Sequence, residues 1–185
     1  ANGKKYRGSL RLDWINKGLS LYYEIDEKEG KGVRPVWVPK NDIRVAEPRI
    51  LRFVKDYGDK TSGNMLVKGD NLLVLRSLVE MFKGKPEKEK VKCIYIDVPF
   101  NSGNAFEKYD DNLQHSEWLT LIRDRLLLLR KLLNKSGSIF VHIDDNEIDY
   151  LKVVMDEVFS RQNFISRITL DARSPSAFST VNPGV

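Results

Sequence analysis

A short run of residues, Asp97-Val98-Pro99-Phe100, has the composition and the position expected of a reactive site. It follows directly on the apolar, β-branched stretch 91–96, which is typical of a strand buried in a parallel sheet. Ligands of open α/β sheets bind beyond the carboxyl ends of the strands, so an acid, a proline and an aromatic ring fall where chemistry takes place. A structural interpretation also stays open: Asp97 ends a strand, and Pro99-Phe100 forms a turn with a core contact.

The tetrapeptide and the residues after it resemble motif IV of the amino-directed DNA methyltransferases. That motif reads Asp/Asn-Pro-Pro-Tyr/Phe, and the stretch here is Asp97-Val98-Pro99-Phe100-Asn101-Ser102-Gly103-Asn104. The order of the motifs is similar to that of the β-type, adenine-specific enzymes and of the modification (Mod) subunits of type III restriction systems. The resemblance extends from about Arg11 to the end of the chain, and the one difference in the motif is Val98 in place of the first proline.

This resemblance implies methyl transfer from S-adenosylmethionine to the exocyclic amino group of an adenine in DNA. A base inside a duplex must be flipped out before its amino group can be reached. The amino nitrogen is a poor nucleophile because its lone pair is delocalised, and acceptors on its two hydrogens free that lone pair. By resemblance, the Asp97 carboxylate and the Val98 carbonyl are those acceptors, and Phe100 stacks on the base, a contact of roughly 1–3 kcal/mol. Together with Pro99, these are the expected catalytic residues.

Val98 changes the backbone of the expected catalytic loop. It keeps the carbonyl, but it releases φ, which a proline would hold at about −65°. It also adds a backbone N–H that needs a partner. The sequence therefore predicts a looser loop and reduced activity.

Two residues are expected to bind the cofactor, Asp70 and Asn101. Asp70 ends a predicted strand over 64–70 and precedes a predicted helix whose apolar residues recur at three- and four-residue steps. It can cap that helix, and it also resembles the acid of motif III near the adenine of the cofactor; the two roles are compatible. No Gly-x-Gly loop follows a strand. We therefore expect a half-built cofactor site and the N-terminal portion of a methyltransferase.

Three acids lie within Asp144-Asp145-Asn146-Glu147, directly after a predicted strand over 138–143. Such a cluster suggests a metal site, but an acidic helix start is the simpler account, because negative charge is favourable at a helix N-terminus. The stretch also resembles motif VI of the family, which needs no metal for transfer. No metal is expected, and an amphipathic helix is predicted from Ile148 to Val158.

The N-terminal residues are basic and aromatic. Residues 1–60 carry 14 Lys and Arg against 9 Asp and Glu, whereas residues 61–185 carry 17 of each, so the net charge of +5 lies ahead of the motif. This charge can attract phosphate, and a solvated mixed-charge surface explains it equally well. Strands over 21–25 and 33–38 predict a β-hairpin. The aromatic residues here either form a small core or stack on bases; they are Trp14, Tyr22, Tyr23 and Trp37.

The elements together predict an α/β protein. The expected fold is a partial Rossmann-like methyltransferase sheet in three layers (α/β/α), preceded by a small segment that contains the hairpin. A long helix is predicted from an N-cap at Ser116 to about Asn134, ended by Ser136-Gly137, and a last strand over 163–170. The predicted regions are a basic segment 1–60, a catalytic half 61–170, and a tail 171–185 that leads towards a recognition region.

The single cysteine, Cys93, allows no internal disulfide and is interpreted as a small hydrophobe in the buried strand. No apolar run approaches the ~20 residues of a membrane helix, and no apolar signal-peptide core follows the N-terminus. A cytoplasmic protein is expected.

The resemblance implies double-stranded DNA as the partner, with a restriction subunit, a missing C-terminal half or a second copy as further candidates. Two other functions stay open. The first is a catalytically impaired DNA-binding relative or split-enzyme half, favoured by Val98 and by the absent glycine loop. The second is methylation of a protein glutamine, for which Asn is usual in place of Asp97.

Overall fold

A computed structural model of the protein describes residues 10–26, 32–59, 61–102, 105–106, 109–110 and 114–170. The predicted basic arm over 1–9 and the tail over 171–185 lie outside these residues. The elements in chain order are β1 (Leu19–Asp26), β2 (Gly32–Pro39), α1 (Ile43–Ala46), α2 (Asn71–Met81), β3 (Val91–Asp97), β4 (Ala105–Phe106), β5 (Tyr109–Asp110), α3 (His115–Leu132), β6 (Leu133–His142) and α4 (Ile148–Phe159). The mixed α/β class is confirmed. The three sheets described are two-stranded: β1–β2, β3–β6 and β4–β5.

The predicted hairpin is confirmed. β1 and β2 are antiparallel, with Leu19 opposite Pro39 and Asp26 opposite Gly32. The hairpin and the turn before it are joined to α3 by two side-chain hydrogen bonds, from Ser20 Oγ to Asp124 Oδ2 at 2.6 Å and from Trp14 Nε1 to Thr120 Oγ1 at 2.8 Å. Trp14 also packs against the main core, which supports the core interpretation of this residue rather than base stacking.

The part of the fold that carries the motif is the parallel pair β3–β6, joined through α3. Asp97 at the end of β3 lies opposite His142 at the end of β6. One face of the pair packs against α3 and α4, where buried side chains form the main core. That core consists of Ile94, Trp118, Leu119, Ile122, Leu126, Leu129, Leu151, Val154 and Val158.

The opposite face of β3–β6 is open, so β3 is not the buried strand that was predicted: only one of its faces is covered. Cys93 is exposed, as are Tyr95 (69%) and Phe140 (47%). The reason is that α3 and α4 both pack on the side of Ile94, and successive strand residues point to opposite faces. The interpretation of Cys93 as a buried hydrophobe was wrong for the same reason.

Two predicted strands, over 64–70 and 163–170, do not form. The first has no regular structure, and Leu66 within it is 93% exposed. The second begins in a short 3-10 turn and continues as exposed chain without regular structure, with Ile165 84% exposed. Apolar, β-branched sequence favours an extended backbone, but a strand also needs a neighbour for its hydrogen bonds. Within the described residues no strand lies beside either segment.

The predicted helices α2 and α4 are confirmed, whereas both ends of α3 differ from the prediction. Its N-cap is Gln114 and not Ser116, and the chain passes from its last residue, Leu132, directly into β6. Gly137 therefore lies inside a strand and does not end a helix. A Cβ there would lie 2.7 Å from Leu133 Cδ1 and 2.9 Å from the Lys92 carbonyl oxygen, so close approach of the two strands requires glycine.

The helices of the described residues are too short or too polar for a transmembrane span.

Candidate active site

Asp97 and His142 form the centre of the site, because parallel pairing brings the ends of β3 and β6 to the same edge. His142 Nδ1 lies 3.1 Å from Asp97 Oδ1, and the two side chains are 50% and 67% exposed. An ionised carboxylate only accepts, so the hydrogen of this contact belongs to His142 Nδ1. A carboxylate has about four acceptor positions, so this bond leaves Asp97 able to accept from another donor.

The loop after β3 is held against the core. Val98 is half-buried and packs on the main core, and the Trp118 indole N–H donates to the Pro99 carbonyl at 2.7 Å. Trp118 is completely buried, so this donor has little freedom to move. The Phe100 ring meets the His142 ring edge to face, with 5.2 Å between centroids and 83° between planes. Phe100 and Asp97 therefore both contact His142.

Asn101 leaves the loop towards α4. Its φ of 57° lies in the left-handed region, which asparagine tolerates better than most residues. Its Nδ2 donates to Glu147 Oε1 at 2.7 Å, and His115 Nδ1 lies 2.9 Å from the same oxygen. Glu147 is only 4% exposed. Asn101 is thus joined to the residue that precedes α4 and to the first residue of α3.

Asp70 contacts a different group of residues. Its Oδ1 accepts from the Leu72 and Leu73 amides at 2.8 and 3.3 Å, which confirms the predicted helix cap. Arg125 Nη2 lies 3.8 Å from the same oxygen. Burial lowers the pKa of Arg125, and the Asp70 carboxylate acts against that shift. Burial raises the pKa of the nearby Tyr23, while Arg125 opposes it.

Within the described parts of the chain, no three acidic, histidine or cysteine side chains are grouped so that they could hold a metal ion. The stretch 144–147 instead has separate roles. Asp144 Oδ1 accepts from the Asn146 amide at 3.0 Å, and Glu147 binds Asn101 and His115.

Sequence reasoning placed Asp97 and Phe100 at the end of a strand, and the structure adds three residues that it missed. His142 ends the parallel neighbour of β3, so its position was an available signal. Trp118 was interpreted only as part of an apolar helix face, and Glu147 only as part of an acidic helix start. Neither pattern reveals a contact to the loop after β3.

Comparison with known protein families gives a match for residues 91–183 to the model described as DNA methylase. The chain belongs to the DNA methylase family. The matched range includes the Asp97–Asn101 loop and His142.

Three curated relatives agree with this family. The probable type III restriction-modification enzyme HindVI Mod subunit of Haemophilus influenzae is 45% identical over 121 residues, which are 65% of this chain and 16% of the relative. The type III EcoP15I Mod subunit of Escherichia coli is 36% identical over 137 residues, 58% of this chain and 20% of the relative. The type II methyltransferase M.EcaI of Enterobacter cloacae is 36% identical over 136 residues, 69% of this chain and 29% of the relative.

These matches confirm the resemblance to Mod subunits. The chain spans less than a third of the length of each of these three relatives.

Proposed function

We propose that this chain is the part of an adenine-directed DNA methyltransferase that receives the flipped base and activates its amino group. The observation that carries the proposal is the position of Asp97 and Phe100, which lie together at the carboxyl edge of β3–β6 and share His142 as a neighbour. The family match over residues 91–183 supports it, because it covers this edge. Asp97, Val98, Pro99 and Phe100 are the proposed catalytic residues.

These residues are proposed to accept hydrogen bonds from the amino group of the base and to stack on its ring. The Asp97 carboxylate and the Val98 carbonyl accept the two amino hydrogens of the base, which draws the nitrogen lone pair out of the ring. Phe100 provides a face for the flipped base, and such stacking contributes roughly 1–3 kcal/mol. His142 orients the Asp97 carboxylate from the side. Proper placement of the two reactants then supplies much of the rate.

The cofactor that we propose is S-adenosylmethionine, which supplies an electrophilic methyl group when bound. The residues present fit part of its site. Asp70 is 43% exposed at its side chain and is held by the start of α2 and by Arg125, so it offers fixed acceptor atoms for ribose or adenine groups. Asn101, on the loop after Asp97, is the second proposed contact.

The finer architecture belongs to the same proposal. We expect β3–β6 to be the motif IV side of a three-layer α/β/α sheet, with regions near 1–60, 61–170 and 171–185. Double-stranded DNA is the proposed substrate, and a restriction subunit or a second copy the proposed partner. The open face with Tyr95 and Phe140 supports the three-layer arrangement, because a parallel sheet in such a fold has helices on both faces. A cytoplasmic location follows from a role on DNA.

The test is a chimera in which this chain replaces the matching stretch of the Haemophilus influenzae relative. Methylated adenine is measured after digestion of substrate DNA. Asp97→Ala should lower the rate at least about a hundredfold, the scale seen when a preorganised hydrogen-bonding group is removed from an active site. Asp145→Ala, an exposed acid near the site, is the control and should keep the rate. Equal rates for the chimera and its Asp97→Ala variant would refute the assignment.

Val98→Pro, in the same chimera, tests the predicted effect of the missing proline. Proline would fix φ and restore the family's tetrapeptide. We expect faster methyl transfer, and no gain would show that Val98 does not limit the loop. Val98→Ala is the matched control, because it removes the packing of Val98 on the core without fixing φ.

A further inference from the structure

Glu147 is a buried carboxylate beside the candidate site that none of the proposed chemistry uses. The residue is 4% exposed, yet it stands just before α4 in a stretch that is otherwise polar and accessible. Burial of a carboxylate is costly unless donors satisfy it. Its position therefore requires an explanation from its contacts.

Both contacts of Glu147 join it to the surroundings of the loop after β3. Oε1 accepts from Asn101 Nδ2 at 2.7 Å and lies 2.9 Å from His115 Nδ1. The carboxylate accepts only, so the Nδ1 hydrogen of His115 points at it. The His115 ring also contacts the Tyr150 ring of α4 edge to face, with 4.4 Å between ring centroids. One oxygen thus connects the loop, the start of α3 and the start of α4.

A second contact fixes the same loop two residues before Asn101. Trp118, on the first turn of α3, donates to the Pro99 carbonyl. His115 lies one turn before Trp118 on the same helix, so the Glu147–His115 contact also fixes the helix end that carries this donor. Pro99 and Asn101 are therefore held from either side of Phe100.

We propose that Glu147 is a positioning residue for methyl transfer: it holds the loop and the first turn of α3 together, and thereby sets the orientation of Phe100 and Asp97. This rests on the proposed function for its reaction, whereas the loop geometry itself can be tested without any activity. Glu147 touches neither substrate nor cofactor in this role.

Substitution by glutamine separates the acceptor role of Glu147 from its charge. Glu147 Oε2 is buried and has no hydrogen-bond partner within the described structure. Glutamine in this position keeps an Oε1 acceptor for Asn101 and His115, but it removes the negative charge to which both groups donate. Glu147→Gln should therefore preserve the loop in part, and Glu147→Ala should release it.

The first experiment is amide hydrogen exchange on the 185-residue protein, together with exchange of the Trp118 indole N–H. Glu147→Ala should speed amide exchange at least tenfold over 100–102 and 114–118, and leave the middle of α3 around Leu126 unchanged. Glu147→Gln should show a smaller increase, and Asp145→Asn, an amide substitution at an exposed acid of the same stretch, none. A uniform increase through α3, or none over 100–102, would overturn the proposal.

Two further variants remove the Asn101 and the His115 contact of Glu147 one at a time, and they remain informative if Glu147→Ala does not fold. Asn101→Gly removes the amide donor but tolerates the φ of 57°. This variant should speed amide exchange over 100–102 and leave 114–118 unchanged. His115→Phe keeps a ring against Tyr150 but loses the hydrogen-bond donor. It should speed amide exchange over 114–118 more than over 100–102. Identical profiles for both variants and the wild type would refute the proposal.

The kinetic test uses the chimera described above. Glu147→Ala should lower kcat at least tenfold while KM for DNA changes less than twofold, and Glu147→Gln should recover most of kcat. An unchanged kcat, with the exchange effect present, would mean that the loop orientation does not limit the reaction, and would overturn the positioning role. A wild-type chimera without methyl transfer would instead refute the proposed function, and hydrogen exchange would then decide the role of Glu147 in the loop.

Discussion

The two faces of the β3–β6 pair differ in what covers them. On one face, Ile94 is buried among side chains of α3 and α4. On the other face, Cys93, Tyr95 and Phe140 are exposed, and the row ends in the Asp97–His142 pair. The same two backbones thus carry a packed face and an accessible face that leads to the candidate catalytic acid.

This difference separates stability from chemistry. The packed face fixes the strands, and through Trp118 it also fixes the loop after Asp97. The open face contributes little burial within the described structure. We therefore expect substitutions on the packed face to change the free energy of unfolding, and those on the open face to change binding or rate.

The largest effect is expected from Leu126→Ala on the packed side. Leu126 is completely buried, and a buried leucine truncated to alanine usually costs about 2–5 kcal/mol. Urea denaturation gives the free energy of unfolding. Leu66→Ala is the matched control, because the same truncation at a leucine that is 93% exposed should change little. Equal losses at the two positions would contradict the assignment of the core.

A smaller effect, on rate rather than stability, is expected from His142→Ala. The variant loses the hydrogen bond that orients Asp97, so the carboxylate is no longer held towards the amino group of the base. Methyl transfer by the chimera should fall at least about tenfold, which corresponds to ~1.4 kcal/mol. Ser138→Ala, earlier on the same face of β6, should keep the rate. A fully active His142→Ala variant would show that His142 does not orient Asp97 for methyl transfer.

Tyr95→Ser should change the stability least among the large side chains of the sheet. Tyr95 is 69% exposed, and substitutions at such positions usually stay within about 0.5 kcal/mol. The same denaturation experiment measures it beside Leu126→Ala. A loss of several kcal/mol would mean that this face is covered in solution.

Cys93 gives a test that perturbs the fold hardly at all. It is the single cysteine of the sequence and is exposed on the open face. A maleimide should label the native protein completely, as judged from the intact mass, at a rate close to that in urea. Slow labelling that speeds up on dilution would instead indicate that a second copy covers this face.

The elements that sequence reasoning recovered are those with a clear local signal. The apolar periodicity of α2 and α4, the apolar and aromatic residues of β1 and β2 and the Asp70 cap all depend on nearby residues. The strand over 64–70 could not be judged in this way, because its existence depends on a neighbour. Similarly, the composition of 91–96 says nothing about which face α3 and α4 cover.

The candidate site shows the same limit. Asp97 and Phe100 were placed at the end of β3 from the residues themselves, and their catalytic role stays a prediction. The contacts of His142 and Glu147 depend on how β6 and α4 sit beside β3, and no local pattern contains that arrangement. Longer-range packing therefore decides how the loop is held, while the local sequence decides what the loop contains.

The buried hydrogen bond between Ser20 and Asp124 has a consequence for how the molecule melts. The Asp124 carboxylate is 8% exposed as a residue and accepts from the hairpin and from Arg123. Removal of the hairpin would leave this acceptor short of a donor in the middle of α3, which is costly. Hairpin and helix should therefore lose their structure in one cooperative calorimetric transition. A cut near residue 60 would weaken α3 rather than release two independent modules.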